Sequence, residues 1–240
     1  MEEQLESQLG TSSAGIKFVS PVGLGAEHVA VKVPIDGIEL AADVALPASA
    51  QGLVVFAHGS GSSRRSPRNR HVADVLNEGS IGTVLIDLLT AQEEAVDLRT
   101  AELRFDIPLL GQRLVAITDW LTSPARGRSR DSIGLFGAST GTAAALMTAA
   151  QLPDTVKAIV SRGGRPDLAG SAASLVRAPI LLIVGGKDTA VLQMNRDAMA
   201  LMKCKTELKI IPGATHLFEE RGALAQVASM AADWFTTHLE

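Results

Sequence analysis

A serine enclosed by two glycines is the part of this sequence best suited to chemistry. Residues 137–141 read Gly-Ala-Ser-Thr-Gly and separate the apolar run 132–136 from an alanine-rich helical stretch, 142–151. A G-x-S-x-G turn between a strand and a helix holds its serine in a strained bend that requires glycine-sized neighbours, and it exposes the hydroxyl at the sheet edge. We therefore predict that Ser139 is a nucleophile, against the alternative of an ordinary turn serine.

Two later segments supply the partners that a serine nucleophile needs. Asp188 follows the apolar run 180–184, and His216 follows the apolar run 208–211. The order Ser, Asp, His and the position after buried strands are typical of an open parallel sheet with its reactive groups at one edge. The alternatives are that Asp188 caps a helix beginning at residue 189 and that His216 is a surface loop residue.

Strands alternate with helices along the chain, which predicts crossover connections and a parallel sheet covered on both faces. Asp36-Gly37 is a hairpin signal between the first two strands. We predict an α/β fold with a doubly wound, mostly parallel sheet, an N-terminal antiparallel hairpin, helices on both faces and no large cap domain. The predicted strands are 29–35, 38–46, 53–57, 82–87, 156–160, 180–184 and 208–211, and the main helices are 68–78, 106–121, 190–202 and 223–238.

Composition limits the classes of function. The 240 residues are 46% hydrophobic and 20% charged, with a formal net charge of −4, which offers no electrostatic case for nucleic acid or an anionic membrane. The arginine-rich stretch 64–70 is interpreted as a solvated loop and helix start. No apolar run has the length of a membrane span, and no secretory signal is recognisable in residues 1–26.

The same inventory gives expectations about organisation and partners. We expect a loose polar tail over residues 1–26 and a single domain over residues 27–240. The single cysteine, Cys204, excludes an internal disulfide; we expect it on a helix, in a cytoplasmic protein that is a monomer or homodimer. No His, Cys, Asp and Glu cluster has metal-ligand spacing, so neither a metal nor another cofactor is expected.

Four motifs together resemble those of the α/β-hydrolases, and the dienelactone-hydrolase-like branch in particular. They are residues 56–61 (Phe-Ala-His-Gly-Ser-Gly), 137–141, 185–188 (Gly-Gly-Lys-Asp) and 213–216 (Gly-Ala-Thr-His), and the resemblance covers roughly residues 29–238. It implies a Ser-His-Asp triad. The dienelactone hydrolases proper have cysteine at the elbow, whereas this chain has Ser139, a substitution that keeps ester chemistry intact.

The chemistry expected of these residues is acyl transfer to an activated hydroxyl. His216 would remove the proton of Ser139, and Asp188 would orient the imidazole and stabilise its protonated form. The resulting oxyanion needs fixed donors, which we assign to the backbone N–H groups of Thr140 and Ser60.

Several residues near these motifs are candidates for the pocket. His58 would hold the shape of the loop containing Gly59 and Gly61, or act in catalysis. Asp87 would line the pocket or cap the next segment. Arg162, with Arg165, would bind a substrate carboxylate or form a structural ion pair.

A small ester or lactone is the predicted substrate, because the chain has no Tyr and few aromatic residues to form a stacking platform. Residues 88–105 carry many charges and are predicted to form a solvated helix flanking an open site. Acyl transfer by the same triad and a non-catalytic binding or signalling role are the alternative functions.

Overall fold

The computed structural model describes residues 29–123 and 132–239, which form eight strands, six α-helices and two 3-10 segments. The predicted tail of residues 1–26 lies outside the described residues. The strands are β1 (Val29–Ile35), β2 (Ile38–Ala45), β3 (Leu53–Ala57), β4 (Gly82–Ile86), β5 (Ile133–Ala138), β6 (Val156–Arg162), β7 (Ile180–Gly185) and β8 (Thr206–Ile211). The helices are α1 (Pro67–Glu78), α2 (Ala91–Thr100), α3 (Ile107–Thr122), α4 (Gly141–Gln151), α5 (Thr189–Leu201) and α6 (Ala223–His238), and the 3-10 segments are Leu103–Phe105 and Pro166–Leu175.

All eight strands form one sheet in the order β1-β2-β4-β3-β5-β6-β7-β8. The first two strands pair antiparallel through the turn at Asp36 and Gly37, whose φ angles of 45° and 83° are those of a hairpin turn matched to strand twist. From β4 to β8 the strands run parallel. The predicted fold class is therefore confirmed.

Two hydrophobic layers cover the sheet. One packs α3 and α4 against one face, with Leu114, Ile117 and Leu146 fully buried. The other packs α1 and α6 against the opposite face around Phe56 and Phe136, whose ring centroids are 4.7 Å apart. Every residue of β3 and β5 is buried, which explains why these strands read as continuous apolar runs.

The strand order places one crevice in the middle of the carboxyl edge. The chain crosses from β3 to β4 on one side and from β5 to β6 on the other, so the order reverses between β3 and β5. Loops that leave two neighbouring strands in opposite directions leave room for a ligand between them. Ser139 follows β5 and His58 follows β3, so both lie at this switch point.

Two predicted elements differ from the structure. Cys204 lies between α5 and β8 rather than on a helix, because α5 ends at Leu201. The charged segment 88–105 forms the shorter helix α2 and a 3-10 turn, and it is not simply solvated, since Asp97 is only 3% exposed. In the described parts of the chain, no helix combines the length and apolarity needed to span a bilayer.

Candidate active site

Ser139 occupies a sharp bend between β5 and α4. Its φ of 51° is in the left-handed region, which a residue with a side chain adopts only when its surroundings enforce it. Gly141 explains part of that enforcement, because a Cβ at this position would lie 2.2 Å from the carbonyl oxygen of Ala57. The close approach of α4 to the end of β3 thus requires a glycine, as the elbow motif predicts.

The loop after β6 is hydrogen-bonded to the bend at Ser139. The Ser139 N–H donates to the carbonyl of Arg162 at 3.2 Å, and the Ser139 carbonyl accepts from the Arg165 N–H at 3.0 Å. Between these two residues, Gly163 lies against His216: a Cβ on Gly163 would be 3.4 Å from both Cε1 and Nδ1 of the imidazole. Residues 162–165 therefore contact both the elbow and the histidine ring.

Asp188 and His216 form a direct pair. Nδ1 of His216 is 2.6 Å from Oδ2 of Asp188, and the side chains are 39% and 15% exposed. Although Asp188 stands at the N-cap of α5, its side chain makes no capping hydrogen bond. Its carboxylate is directed to the imidazole, the contact that orients a catalytic base.

Backbone contacts join the loops that carry this pair. The Lys187 N–H donates to the carbonyl of Ala214 at 2.9 Å, and a Cβ on Gly185 would lie 2.5 Å from that same oxygen. Glu220 Oε1 accepts the Thr215 N–H at 3.0 Å. The two loops are consequently packed main chain against main chain.

The hydroxyl of Ser139 forms no hydrogen bond to His216 in the described part of the chain. Catalytic hydrogen bonds are often long before a substrate is bound, so this geometry does not separate the two residues functionally. The roles of Ser139, Asp188 and His216 therefore stay predictions. Residues 162–165 contact both Ser139 and His216, and a direct hydrogen bond joins His216 to Asp188.

The loop after β3 lies beside Ser139. A Cβ on Gly59 would be 3.0 Å from Cβ of Ser139, which shows how closely the two segments approach. Within this loop, the Ser60 N–H donates to Oγ1 of Thr140 at 2.9 Å. The amide that we assigned to the oxyanion hole is thus occupied by a side-chain hydroxyl in the structure.

His58 bonds to the backbone around it. Its Nε2 accepts the Leu88 N–H at 3.2 Å, which leaves the proton on Nδ1, 3.0 Å from the Gly59 carbonyl. These contacts give His58 the loop-shaping arrangement that was one of its two expected roles. Gly61, with a φ of 69°, completes the turn.

A solvent-open cleft begins at Thr140 and Ser60 and extends toward α2. Its wall combines polar groups from the β3 loop with apolar side chains, and Asp87 is one of its lining residues. The apolar side chains are Leu89, Leu98 and Leu110. Asp87 also accepts the Arg64 N–H at 2.7 Å and pairs with the Arg64 guanidinium, so it both lines the cleft and anchors the loop.

Arg162 is buried next to the elbow. It is 9% exposed, its guanidinium carbon is 6.0 Å from the centroid of the Phe136 ring, and Nη1 has no partner among the described residues. Burial and the nearby charge of Arg68 lower its pKa to about 10. Arg165, by contrast, pairs with Asp167 at 2.8 Å. The ion-pair alternative thus describes Arg165, and Arg162 stays a candidate for substrate contact.

The charged side chains that support the cleft were not predicted from the sequence. Arg64 was assigned to a solvated stretch, which is wrong: its side chain is 17% exposed and bridges Asp43 and Asp87. Arg113 on α3 pairs with Glu93 and donates to the Leu88 carbonyl at 2.7 Å. Hydrogen bonds from Arg113 lower the pKa of Glu93 to about 2 despite its partial burial. No local pattern marks these pairs, because the partners lie 20 to 23 residues apart.

No group of three or more His, Cys, Asp or Glu residues suited to a metal ion occurs in residues 29–123 and 132–239. The described site therefore consists of an elbow serine, an imidazole paired with a carboxylate, and loop amides at a sheet switch point. This fold and this site define an α/β-hydrolase.

Comparison with known proteins specifies the family. The sequence pattern of the dienelactone hydrolase family matches residues 87–240, and the chain belongs to that family. Its fold is similar to the crystal structure of a dienelactone hydrolase from Anabaena variabilis, with a TM-score of 0.87 and 54% identity over 90% of this chain and 100% of that one. Est1E from Butyrivibrio proteoclasticus shares the fold at a TM-score of 0.71 and 17% identity, covering 87% of this chain and 98% of that one.

The curated relatives are longer proteins. A Mycobacterium tuberculosis protein, provisionally named a phosphoribosyl transferase and present in two strains, is 51% identical over 209 residues. The match covers 87% of this chain but 46% of the relative. The chain thus spans about half the length of the curated relatives that it matches.

Proposed function

We propose that this protein is a serine hydrolase that cleaves small carboxylic esters or lactones through an acyl-enzyme intermediate. The observation that carries the proposal is the 2.6 Å pairing of His216 with Asp188, on loops packed against the segment that fixes Ser139. Membership of the dienelactone hydrolase family supports it. In the proposed role, His216 takes the Ser139 proton as Oγ attacks the carbonyl carbon, and Asp188 stabilises the imidazolium.

The cleft supports a small substrate. It begins at Thr140, next to the nucleophile, and its apolar wall is made by three leucines from different elements. Leu98 is 72% exposed, so the outer part of the wall is open to solvent. A compact acyl or alcohol group fits this space better than a long lipid chain does.

The phosphoribosyl transferase name belongs to a chain about twice the length of the matching segment. We infer hydrolysis for this chain because a histidine–carboxylate pair beside a serine is the arrangement that activates a hydroxyl. Acyl transfer by the same triad remains the second candidate, since water and an alcohol attack an acyl-enzyme alike.

The test compares the wild-type protein with S139A, D188N and S174A on short p-nitrophenyl esters. Ser174 is partly exposed on the 3-10 segment after β6, and its hydroxyl donates to the Ser171 carbonyl at 2.8 Å, so S174A is the matched control. We expect S139A to lose at least about 1,000-fold in kcat/KM and D188N on the order of 100- to 10,000-fold. S174A should match the wild type.

A fluorophosphonate probe with mass spectrometry should place the adduct on Ser139. Product analysis with added alcohols separates hydrolysis from transfer, and phosphoribosyl pyrophosphate consumption tests the reaction in the relative's name. Equal turnover by wild type and S139A, or an adduct on another residue, would refute the proposal.

A further inference from the structure

The side chain of Thr140 has an unusual position for a residue at the start of a helix. It stands at the N-cap of α4 and is 3% exposed, yet its hydroxyl makes no capping hydrogen bond. Instead, Oγ1 accepts the N–H of Ser60, 80 residues earlier in the chain, at 2.9 Å. The hydroxyl thus joins the loop after β3 to the residue that follows the nucleophile.

Among the described residues, the Thr140 hydroxyl accepts a hydrogen bond but does not donate one. A threonine hydroxyl has one proton to donate and can accept from two directions. In residues 29–123 and 132–239, Oγ1 of Thr140 accepts from Ser60 but has no acceptor for its own proton. Two other buried threonines of α4 differ, since Thr142 bonds Ser161 at 3.0 Å and Thr148 donates to the Ala144 carbonyl at 2.9 Å.

The location of Thr140 allows its hydroxyl to donate a hydrogen bond to a ligand in the cleft. Thr140 and Ser60 both line the cleft, at the end nearest the nucleophile. Gly59 approaches the elbow so closely that a Cβ there would be 3.0 Å from both Cβ of Ser139 and the Ala138 carbonyl oxygen. A substrate oxygen that reaches Ser139 from the cleft would therefore pass beside Thr140, which lines the same end. A buried donor without a partner is unfavourable, and a ligand oxygen at this point would satisfy it.

We propose that the Thr140 hydroxyl donates a hydrogen bond to the oxyanion formed on Ser139, beside the backbone N–H of Thr140. The Ser60 N–H then acts as a positioning group: it holds Oγ1 in place and polarises the O–H bond, which strengthens the hydroxyl as a donor. This assignment replaces the direct Ser60 donor expected from the sequence. It rests on the proposed serine hydrolase function.

The covalent bonds of Thr140 do not change when Ser139 attacks the carbonyl carbon. Ser139 Oγ forms a bond to the carbonyl carbon, its proton moves to His216, and the π electrons of the carbonyl move to its oxygen. That oxygen gains negative charge and accepts a hydrogen bond from the Thr140 hydroxyl. When the carbonyl reforms and the leaving group departs with the proton from His216, Thr140 retains its proton.

The decisive variants remove the hydroxyl in two ways. T140V preserves the shape of the side chain, T140A removes it, and T140S retains a hydroxyl. T148V, which removes a buried hydroxyl from the same helix, is the matched control. All are measured with p-nitrophenyl acetate for kcat and KM, with an alkyl boronic acid for tetrahedral-adduct affinity, and by thermal unfolding.

We expect kcat of T140V and T140A to fall on the order of 100-fold, the usual effect of losing one oxyanion donor. KM should change less than about threefold, while boronic acid affinity falls in parallel with kcat, because the bond forms only to the charged oxygen. The kcat of T140S should be at least tenfold higher than that of T140V or T140A. T148V should keep the wild-type kcat.

Three results would overturn the assignment. If T140V and T140A are as fast as the wild type, or faster, the hydroxyl merely occupies the Ser60 amide. If kcat falls only in proportion to a loss of thermal stability, and T148V behaves alike, its role is structural. A wild-type protein that neither hydrolyses esters nor labels at Ser139 would remove the proposed function and this assignment together, an outcome distinct from the first two.

Discussion

The two sides of the elbow are held by different forces. On one side, the loops 162–165, 185–188 and 213–216 contact one another through carbonyls, amides and glycines; we call this the backbone-packed flank. On the other, the loop 58–66 and the segment 87–105 are fixed by the ion pairs of Arg64, Arg104 and Arg113, and we call this the charge-paired flank.

The difference assigns separate tasks to the two flanks. The backbone-packed flank places the histidine–aspartate pair, which in the proposed function must hold the imidazole where it can accept the Ser139 proton. Main-chain contacts are short and have little freedom, which suits this task. The charge-paired flank forms the cleft wall, where arginine side chains hold the loop 58–66 and the segment 87–105 through ion pairs.

The largest effect is expected where backbone meets backbone. In G185A, the new Cβ would overlap the carbonyls of Ala214 and Thr215, at 2.5 and 2.6 Å, and force the Asp188 and His216 loops apart. We expect a loss of at least about 3 kcal/mol in the free energy of unfolding, with loss of the proposed esterase activity. Urea denaturation and kcat/KM measure the two.

G213A is the matched control for G185A, in the loop that G185A disturbs. A Cβ at Gly213 would meet nothing within 4 Å, although its φ of 77° is strained for alanine. We expect a loss of about 1 kcal/mol. Equal losses in both variants would show that the close loop packing does not matter.

On the charge-paired flank, R64M should have the next largest effect. Removing this guanidinium leaves the largely buried carboxylates of Asp43 and Asp87 with fewer partners, because Asp87 loses its ion pair and Asp43 keeps only Arg70. We expect a loss of about 2–4 kcal/mol in the free energy of unfolding. The exposed neighbour variant R65M should stay within about 0.5 kcal/mol, and a similar loss there would contradict a specific role for Arg64.

Acid should weaken the charge-paired flank through Glu93. The pKa of this carboxyl is lowered to about 2 from 4.5, chiefly by the hydrogen bond from Arg113, so folding is stabilised above pH 4.5 and this stabilisation is lost as the pH falls toward 2. We expect E93Q to be less stable than wild type by on the order of 2 kcal/mol at pH 7 and by much less at pH 2.5. Urea titrations at the two pH values measure this, with the exposed E94Q as control. A difference independent of pH would contradict the assignment.

The smallest effect is expected for a surface ion pair on the backbone-packed flank. Arg165 and Asp167 are about one third exposed, and the Arg165 contact to the Ser139 carbonyl is made by its backbone N–H. R165Q should therefore cost at most about 0.5 kcal/mol in thermal or urea unfolding. A loss as large as that of R64M would erase the distinction between the flanks.

The two flanks also differ in how far they could be predicted. The fold and the backbone-packed flank follow from local patterns: β3 and α6 have the predicted bounds, and glycines next to apolar runs located the loops of Ser139, Asp188 and His216. The turn at 137–141 was recognisable because close backbone packing at the elbow requires its glycines. Strand β8 begins two residues earlier than predicted, since Thr206 and Glu207 are polar residues of a partly exposed edge strand.

The charge-paired flank could not be predicted because its partners are distant in sequence. Arg64 has ordinary loop neighbours, and only the pairing of β2 with β4 places Asp43 and Asp87 beside it. Similarly, Asn195 on α5 is fully buried and donates to the Gly164 carbonyl at 2.9 Å, a contact that no spacing rule indicates. The bond from Ser60 to Thr140 depends on the same kind of long-range approach.

The segment 162–165 has a mechanical consequence. Because it is hydrogen-bonded to both the amide and the carbonyl of Ser139 and also lies against the imidazole of His216, a substitution that shifts this segment would displace both residues together. The outer cleft wall is held separately, by the ion pairs of Arg64, Arg104 and Arg113, so a substitution there would leave the link between Ser139 and His216 in place.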